Sequence, residues 1–299
     1  MCFVSIKEKR QTAIHSIGLV VISMFCFAVV DALGKAVALR YPPNEVTFFR
    51  MLFGIVPALA VYLRSGSVLA RLRSMDVRGQ TVRALTLLGA SGLFFAGLPY
   101  VPLSEAVAIV YSEALFVIVL APVLLKERLS ATNAIAALVG FVGVLLVVRP
   151  DSSQASWIGP LFLVSSAVFG ALSMIQIRRI RKSDDSGTTV LFFTCLGTLI
   201  TGVTLVVAWR TPSATDLAVM ALLGVFATAG QLLFTVAVRQ AAAATLAPYT
   251  YTSIIWATLF GYIVWGETLG MFALIGVVLI VASSIAVAVR EQPPEGPAF

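Results

Sequence analysis

The chain has 299 residues, of which 59% are hydrophobic and 12% charged, with a mean hydropathy of +0.98 and a net charge of +7. Soluble domains carry roughly a quarter charged residues, so this chain cannot cover a water-facing surface and reads as an all-α membrane protein crossing the bilayer many times. The positive charge does not imply nucleic acid. It lies in short loops between apolar runs, not on a folded face with interleaved aromatics.

Ten apolar runs of about 20 residues, the length that crosses a bilayer, are predicted at roughly 14–38, 46–63, 81–100, 103–125, 131–148, 157–177, 188–208, 215–237, 242–265 and 269–289. The first follows Lys7-Glu8-Lys9-Arg10, a start like that of a signal peptide. However, the run from Ile14 to Val30 is longer than a signal h-region and lacks a small-residue cleavage site, so it is expected to remain as a helix. Asp31 and Lys35 stand one turn apart near its end, an arrangement that lets them pair with each other. Lys35 is also near enough to the boundary to snorkel.

Tyr41-Pro42-Pro43-Asn44 separates the first two spans. Arg50 follows about one turn into the second. Its role stays open between holding carbonyls, Asp31 or Glu113, and binding a substrate carboxylate.

The fourth span contains IVYSEALFVIVLAPVL (109–124). Glu113 lies about ten residues in, hence about 15 Å deep at 1.5 Å per residue. A carboxylate at the middle of a membrane helix costs about 3 kcal/mol on insertion scales, so it should face protein or water. It could form an ion pair with Lys35 or Arg50, contact a substrate amine, or act as a protonation switch.

The second half echoes the first. LLKERLS (124–130) returns as VWGETLG (264–270), setting Glu127 opposite Glu267. The same register pairs Tyr111 with Tyr251, Glu113 with Ser253, and Phe116 with Trp256. TFFRMLFG (47–54) returns as LFFTCLGT (191–198). Residues 1–150 and 151–290 are therefore expected to be two five-helix repeats, with 291–299 a disordered tail. Five is odd, so the second repeat must be inserted upside down, as in many secondary transporters whose site lies where the halves meet.

Basic residues agree with that count. Lys7, Lys9, Arg10, the arginines between 64 and 83, Lys126, Arg128, Arg178 to Lys182, Arg239 and Arg290 fall on one side, against Arg40, Arg149 and Arg210 on the other. Both termini are thus expected in the cytoplasm and the chain in the cytoplasmic membrane.

These segments, above all RQAAAATLAPYTYTSIIWATLFGYIVWGETL (239–269) and VDALGKAVALRYPPNEVTFFR (30–50), resemble the paired EamA domains of the drug/metabolite transporter superfamily. The resemblance implies ten helices, cytoplasmic termini and alternating access to a central cavity. It also implies a solute among amino acids, S-adenosylmethionine, sugars and related metabolites, as for the superfamily's amino-acid and metabolite exporters.

If both copies line one cavity, Glu113 faces Tyr249, Ser253 and Trp256 across it, with Tyr111 and Tyr251 on the adjacent face. A carboxylate opposite hydroxyls and an indole suits a small amphipathic solute with an amino group. The pathway is accordingly expected to comprise Glu113, Tyr111, Tyr249, Tyr251, Ser253, Trp256, Asp31, Lys35 and Arg50. Glu127 and Glu267 read as helix-start or loop-pinning residues, and Ala136, Gly140 and Gly143 as a close-packing face of a scaffold helix.

Enzymatic chemistry is not expected. One histidine cannot complete H-E-x-x-H, and no Walker A motif occurs. Cys2, Cys26 and Cys195 form neither a disulfide framework nor a zinc site. No metal or cofactor is implied, and the expected partners are a small solute and lipid, with the chain itself a monomer.

Overall fold

The computed structural model describes residues 2–64, 75–125, 131–148, 157–179, 186–240, 246 and 249–290. All regular structure among them is helical. The α-helices are α1 (Cys2–Ala38), α2 (Pro43–Arg64), α3 (Val77–Gly97), α4 (Leu103–Tyr111), α5 (Glu113–Leu125) and α6 (Ala131–Val148). They continue as α7 (Ile158–Arg179), α8 (Ser186–Thr204), α9 (Ala214–Gln240), α10 (Thr252–Trp265) and α11 (Met271–Arg290), and a 3₁₀ turn, Leu98–Tyr100, follows α3. The expected tail and Glu127 lie outside the described residues.

Among the described residues, seven stretches are long and apolar enough to cross a membrane, with shorter apolar helices at Ala137–Val147, Thr252–Trp265 and Met271–Ser283. Apolar side chains cover much of the outer surface, such as Leu199 at 70% exposed and Ile263 at 66%. In water such a surface would aggregate, whereas in lipid it is solvated.

Local chemistry sets the helix ends. Pro43 opens α2, where its missing N–H has no intrahelical partner to lose. The Asp76 carboxylate accepts the Gly79 N–H at 3.1 Å and caps α3. Gly266 ends α10 at φ +68°, a left-handed conformation that glycine adopts without cost.

α1 packs along α9 and α10, α7 along α3 and α5, α2 along α8 and α9, and α6 along α11. One apolar core runs through the bundle, joining Val30 and Val37 of α1 to Phe95, Leu103, Ile109, Leu115, Leu163, Met220, Ile254 and Ile280. At the α6–α11 crossing a methyl group on Gly143 would meet the Gly276 carbonyl oxygen at 2.7 Å. The two backbones touch there, as expected of small residues in a scaffold pair.

A polar clasp joins the α1–α2 turn to the α8–α9 turn. The Asp216 carboxylate accepts from Arg40 at 2.8 Å, from the Tyr41 hydroxyl at 2.7 Å and from the Ser213 hydroxyl at 2.8 Å. Beside it, Glu45 accepts the Arg210 N–H at 2.9 Å, and Asn44 donates to the Thr204 and Ala208 carbonyls.

Candidate functional site

The expected continuous helix over 103–125 is instead broken at Ser112. No proline or glycine stands there. The Ser112 hydroxyl donates to the Ile109 carbonyl at 2.5 Å and its N–H to the same oxygen at 3.0 Å, tightening the turn until the α-helical register is lost. α5 then begins with Glu113 in its first turn. Unpaired N–H groups and the positive end of the helix dipole favour a carboxylate at that position.

The second half has the same device. Tyr251 is a turn residue ahead of α10, and the Ile254 N–H donates to its carbonyl at 3.0 Å. The Thr252 hydroxyl donates three residues back to the Tyr249 carbonyl at 2.7 Å. Ser112 and Thr252 are partners in the sequence register, and both bond in the same direction over the same distance along the chain.

The two breaks meet. The Tyr111 and Tyr251 rings lie 5.5 Å apart, tilted by 49°. The Tyr111 hydroxyl donates to the Met24 sulfur of α1 at 3.3 Å and shares a hydrogen bond with the buried Ser253 hydroxyl. The charges of Asp31 and Glu113 both act on this phenol. Five residues of the expected pathway, Tyr111, Tyr251, Ser253, Asp31 and Glu113, are therefore brought together.

Glu113 is half-buried and has no hydrogen bond or ion pair among the described residues. Its carboxylate lies against the backbone of Gly170 in α7, where any added Cβ would collide with it. Gly170 is a neighbour of Glu113 that the reading of the sequence missed. The signal was present: AVVDALGK (28–35) aligns with AVFGALSM (167–174), setting Asp31 opposite Gly170 and Lys35 opposite Met174. Each acid thus stands where the other half has a small residue, Ser253 for Glu113 and Gly170 for Asp31.

Arg50 and Asp31 act on one another electrostatically, yet they form no ion pair within 4.0 Å. The guanidinium donates to the Ser91 hydroxyl and sits 5.7 Å from the Phe95 ring. Its Nε is shut off from solvent without a partner.

Lys35 corrects an expectation. It does not pair with Asp31 but forms a buried ion pair with Glu267, between α10 and α11. Its ammonium also donates to the Val101 carbonyl at 2.9 Å and lies 5.3 Å from the Trp265 ring centre. The other Glu267 oxygen accepts the Leu103 N–H at 2.7 Å. Glu267 does pin a loop, but by bonding the start of α4 and the end of α1, not by starting its own next helix. Asp31, one turn further back on α1, faces Arg50 and Tyr111 instead.

Two other expected residues have different neighbours. Trp256 meets the Phe25 ring edge-on at 5.2 Å, and Phe25 is itself 37% exposed on the outer surface of α1. Tyr249 packs with Val20, Met24, Ala237 and Leu246 in a separate apolar cluster. Neither contact includes Glu113.

The sequence pattern of the EamA-like transporter family matches residues 15–149 and again 157–289. The pseudopaline exporter CntI of Pseudomonas aeruginosa strain UCBPP-PA14 is 26% identical, over 90% of this chain and 94% of that protein. An S-adenosylmethionine uptake transporter of Rickettsia conorii is 25% identical over 95% of this chain and 96% of its own length. A solved crystal structure superposes with a TM-score of 0.63 at 17% identity, covering 91% of this chain and 99% of that one, a likeness of fold.

Proposed function

Because the chain belongs to the EamA-like transporter family, and is thus a membrane transporter and not an enzyme, we propose that it is a secondary carrier exporting amino acids, aromatic ones foremost, and related amphipathic solutes. In this reading residues 1–150 and 151–290 are inverted five-helix repeats, ten crossings in all, with both termini in the cytoplasm. The pairing of α1 with α9 and α10, and of α7 with α3 and α5, supports the repeat, because those helices correspond in the sequence register.

The observation that carries the reading is the meeting of the two helix breaks at Tyr111 and Tyr251, beside two carboxylates without direct partners. Interrupted helices at mid-membrane are a recurring way to expose binding groups there. Glu113 takes the solute's amine, and the tyrosines bracket its apolar body. Trp256 and Tyr249, with their separate neighbours, serve the packing of the wall.

Lys35 and Glu267 close one mouth of the pathway. Charge counting places their ends of α1, α4 and α10 on the outside. The position matching Lys35 in the other half is Met174, which cannot form such an ion pair. A charged closure at that mouth favours a resting state open to the cytoplasm, from which an exporter loads.

Uptake of S-adenosylmethionine is the second reading, favoured by the Rickettsia relative and by the chemistry of an acid beside aromatic rings, which also suits a sulfonium. A counterflow panel in proteoliposomes decides between them: tryptophan, phenylalanine, threonine, S-adenosylmethionine and a lipophilic cation, with and without a pH gradient. Saturable exchange of the aromatic amino acids is expected. Exchange of S-adenosylmethionine alone would replace the first reading by the second.

A further inference from the structure

The site around Tyr111 explains an amine and an aromatic body but leaves Arg50 without a task. A guanidinium within a membrane helix is costly to desolvate, and each unpaired N–H adds to the cost. Among the described residues, direct polar contact to its side chain comes from the Ser91 hydroxyl, and the Nε is buried with no acceptor. Asp31 offsets part of the charge from beyond ion-pair distance.

Arg50 borders a small open cleft between α2, α8 and α9, with room for little more than a water-sized group. Among the described residues its polar lining consists of Arg50, Thr194, Thr228 and Gln231, without a carboxylate. Thr194 donates its proton within α8, to the Val190 and Leu191 carbonyls. The Thr228 hydroxyl and the Gln231 amide are not so engaged, which leaves three donor groups, counting Arg50, around one small space. Thr194 is also the residue that the register TFFR/LFFT sets opposite Arg50. The cleft therefore lies where corresponding positions of the two halves meet, as the tyrosine pair does.

We infer that this cleft is an anion subsite, in which Arg50, Thr228 and Gln231 hold the carboxylate of the solute. The inference rests on the amino-acid reading above and deepens it. The Asp31 charge acts on both Arg50 and Tyr111. The solute class is thereby an α-amino acid or another molecule carrying both a cation and a carboxylate. A purely cationic amphiphile would leave the guanidinium desolvated and unpaired, and so is discriminated against.

The test compares L-tryptophan with tryptamine, which differ by the carboxylate, as inhibitors of counterflow in proteoliposomes. In the wild type, tryptophan should inhibit at a concentration at least about tenfold lower than tryptamine, the scale of a charge-assisted hydrogen bond. Gln231→Leu with Thr228→Val keeps the guanidinium and its neighbours in place. That variant should shrink the ratio to about threefold or less while tryptamine inhibition stays unchanged. Arg50→Gln should abolish the ratio. A ratio that survives in the folded double variant overturns the anion subsite and leaves the amino-acid reading standing. Failure of both compounds to inhibit the wild type overturns the amino-acid reading, and the subsite with it.

Discussion

Tyr111 and Tyr251 occupy corresponding positions in the two halves of the sequence, and their rings lie 5.5 Å apart where α4 ends and α10 is about to begin. Each stands immediately before the residue whose hydroxyl bonds three residues back, Ser112 in one half and Thr252 in the other. In the proposed reading, the contact joins the halves where a solute passes from one side to the other.

Removing the Tyr111 hydroxyl separates its bonds from its ring. Tyr111→Phe loses the bonds to Met24 and Ser253 but keeps the ring pair. A single such bond is worth about 1 kcal/mol, so the initial counterflow rate should fall about fivefold. Tyr111→Ala also loses the aromatic contact and should fall further, by about thirtyfold. Equal losses in both variants would show that the ring contributes nothing.

Gly170 makes room for Glu113. A methyl group there occupies the space of the carboxylate, so Gly170→Ala should displace Glu113 and lower counterflow about tenfold. Overpacking of this kind costs about 1–3 kcal/mol, which a thermal unfolding curve in detergent registers as a modest loss of Tm. In a Glu113→Ser background, which copies the pairing of the other half, the added methyl group should have little further effect.

In the proposed topology the outer closure depends on the buried Lys35–Glu267 ion pair. Lys35→Met leaves Glu267 uncompensated, and breaking such a pair costs about 3–5 kcal/mol in a closed interior. Opening the mouth relieves that cost by hydrating the acid. In a cysteine-free background carrying Ser253→Cys, a membrane-impermeant maleimide added outside should label Lys35→Met several times faster than its parent. Exchanging the charges, Lys35→Glu with Glu267→Lys, should restore slow labelling. Unchanged labelling in all three would remove the pair from gating.

The α6–α11 crossing bears on stability, not on solute. At Gly143 and Gly276 the backbones leave no space for a side chain. Gly143→Leu should destabilise by about 3 kcal/mol or more, seen as a Tm loss of several degrees. The KM for counterflow in whatever protein remains folded should not change.

Much of this was legible in the sequence because membrane helices leave little choice. Length and hydropathy pointed to apolar helices, and a shared register set Tyr111 opposite Tyr251 and Glu113 opposite Ser253. What the sequence hid were choices among near-equal partners. Asp31 and Lys35 are one turn apart, and only the positions of α2 and the α10–α11 connection send one toward Arg50 and the other to Glu267. Trp256 has the chemistry of a binding residue, but the lipid-facing seam with α1 gives it Phe25. The break at Ser112 carries no proline or glycine, and a serine within an apolar run is ordinarily compatible with a helix. Gly170 was visible only by comparing AVVDALGK with AVFGALSM.

The most direct test of the central claim is solute counterflow by Glu113→Gln in proteoliposomes, measured across pH values from about 6 to about 8. The substitution keeps shape and hydrogen-bonding capacity but removes the charge that would hold an amine. With Glu113 as the amine-binding group, exchange of an aromatic amino acid should fall at least about tenfold at every pH, in protein that unfolds at the wild-type temperature, consistent with loss of one charged hydrogen bond. Wild-type exchange by folded Glu113→Gln would contradict the site.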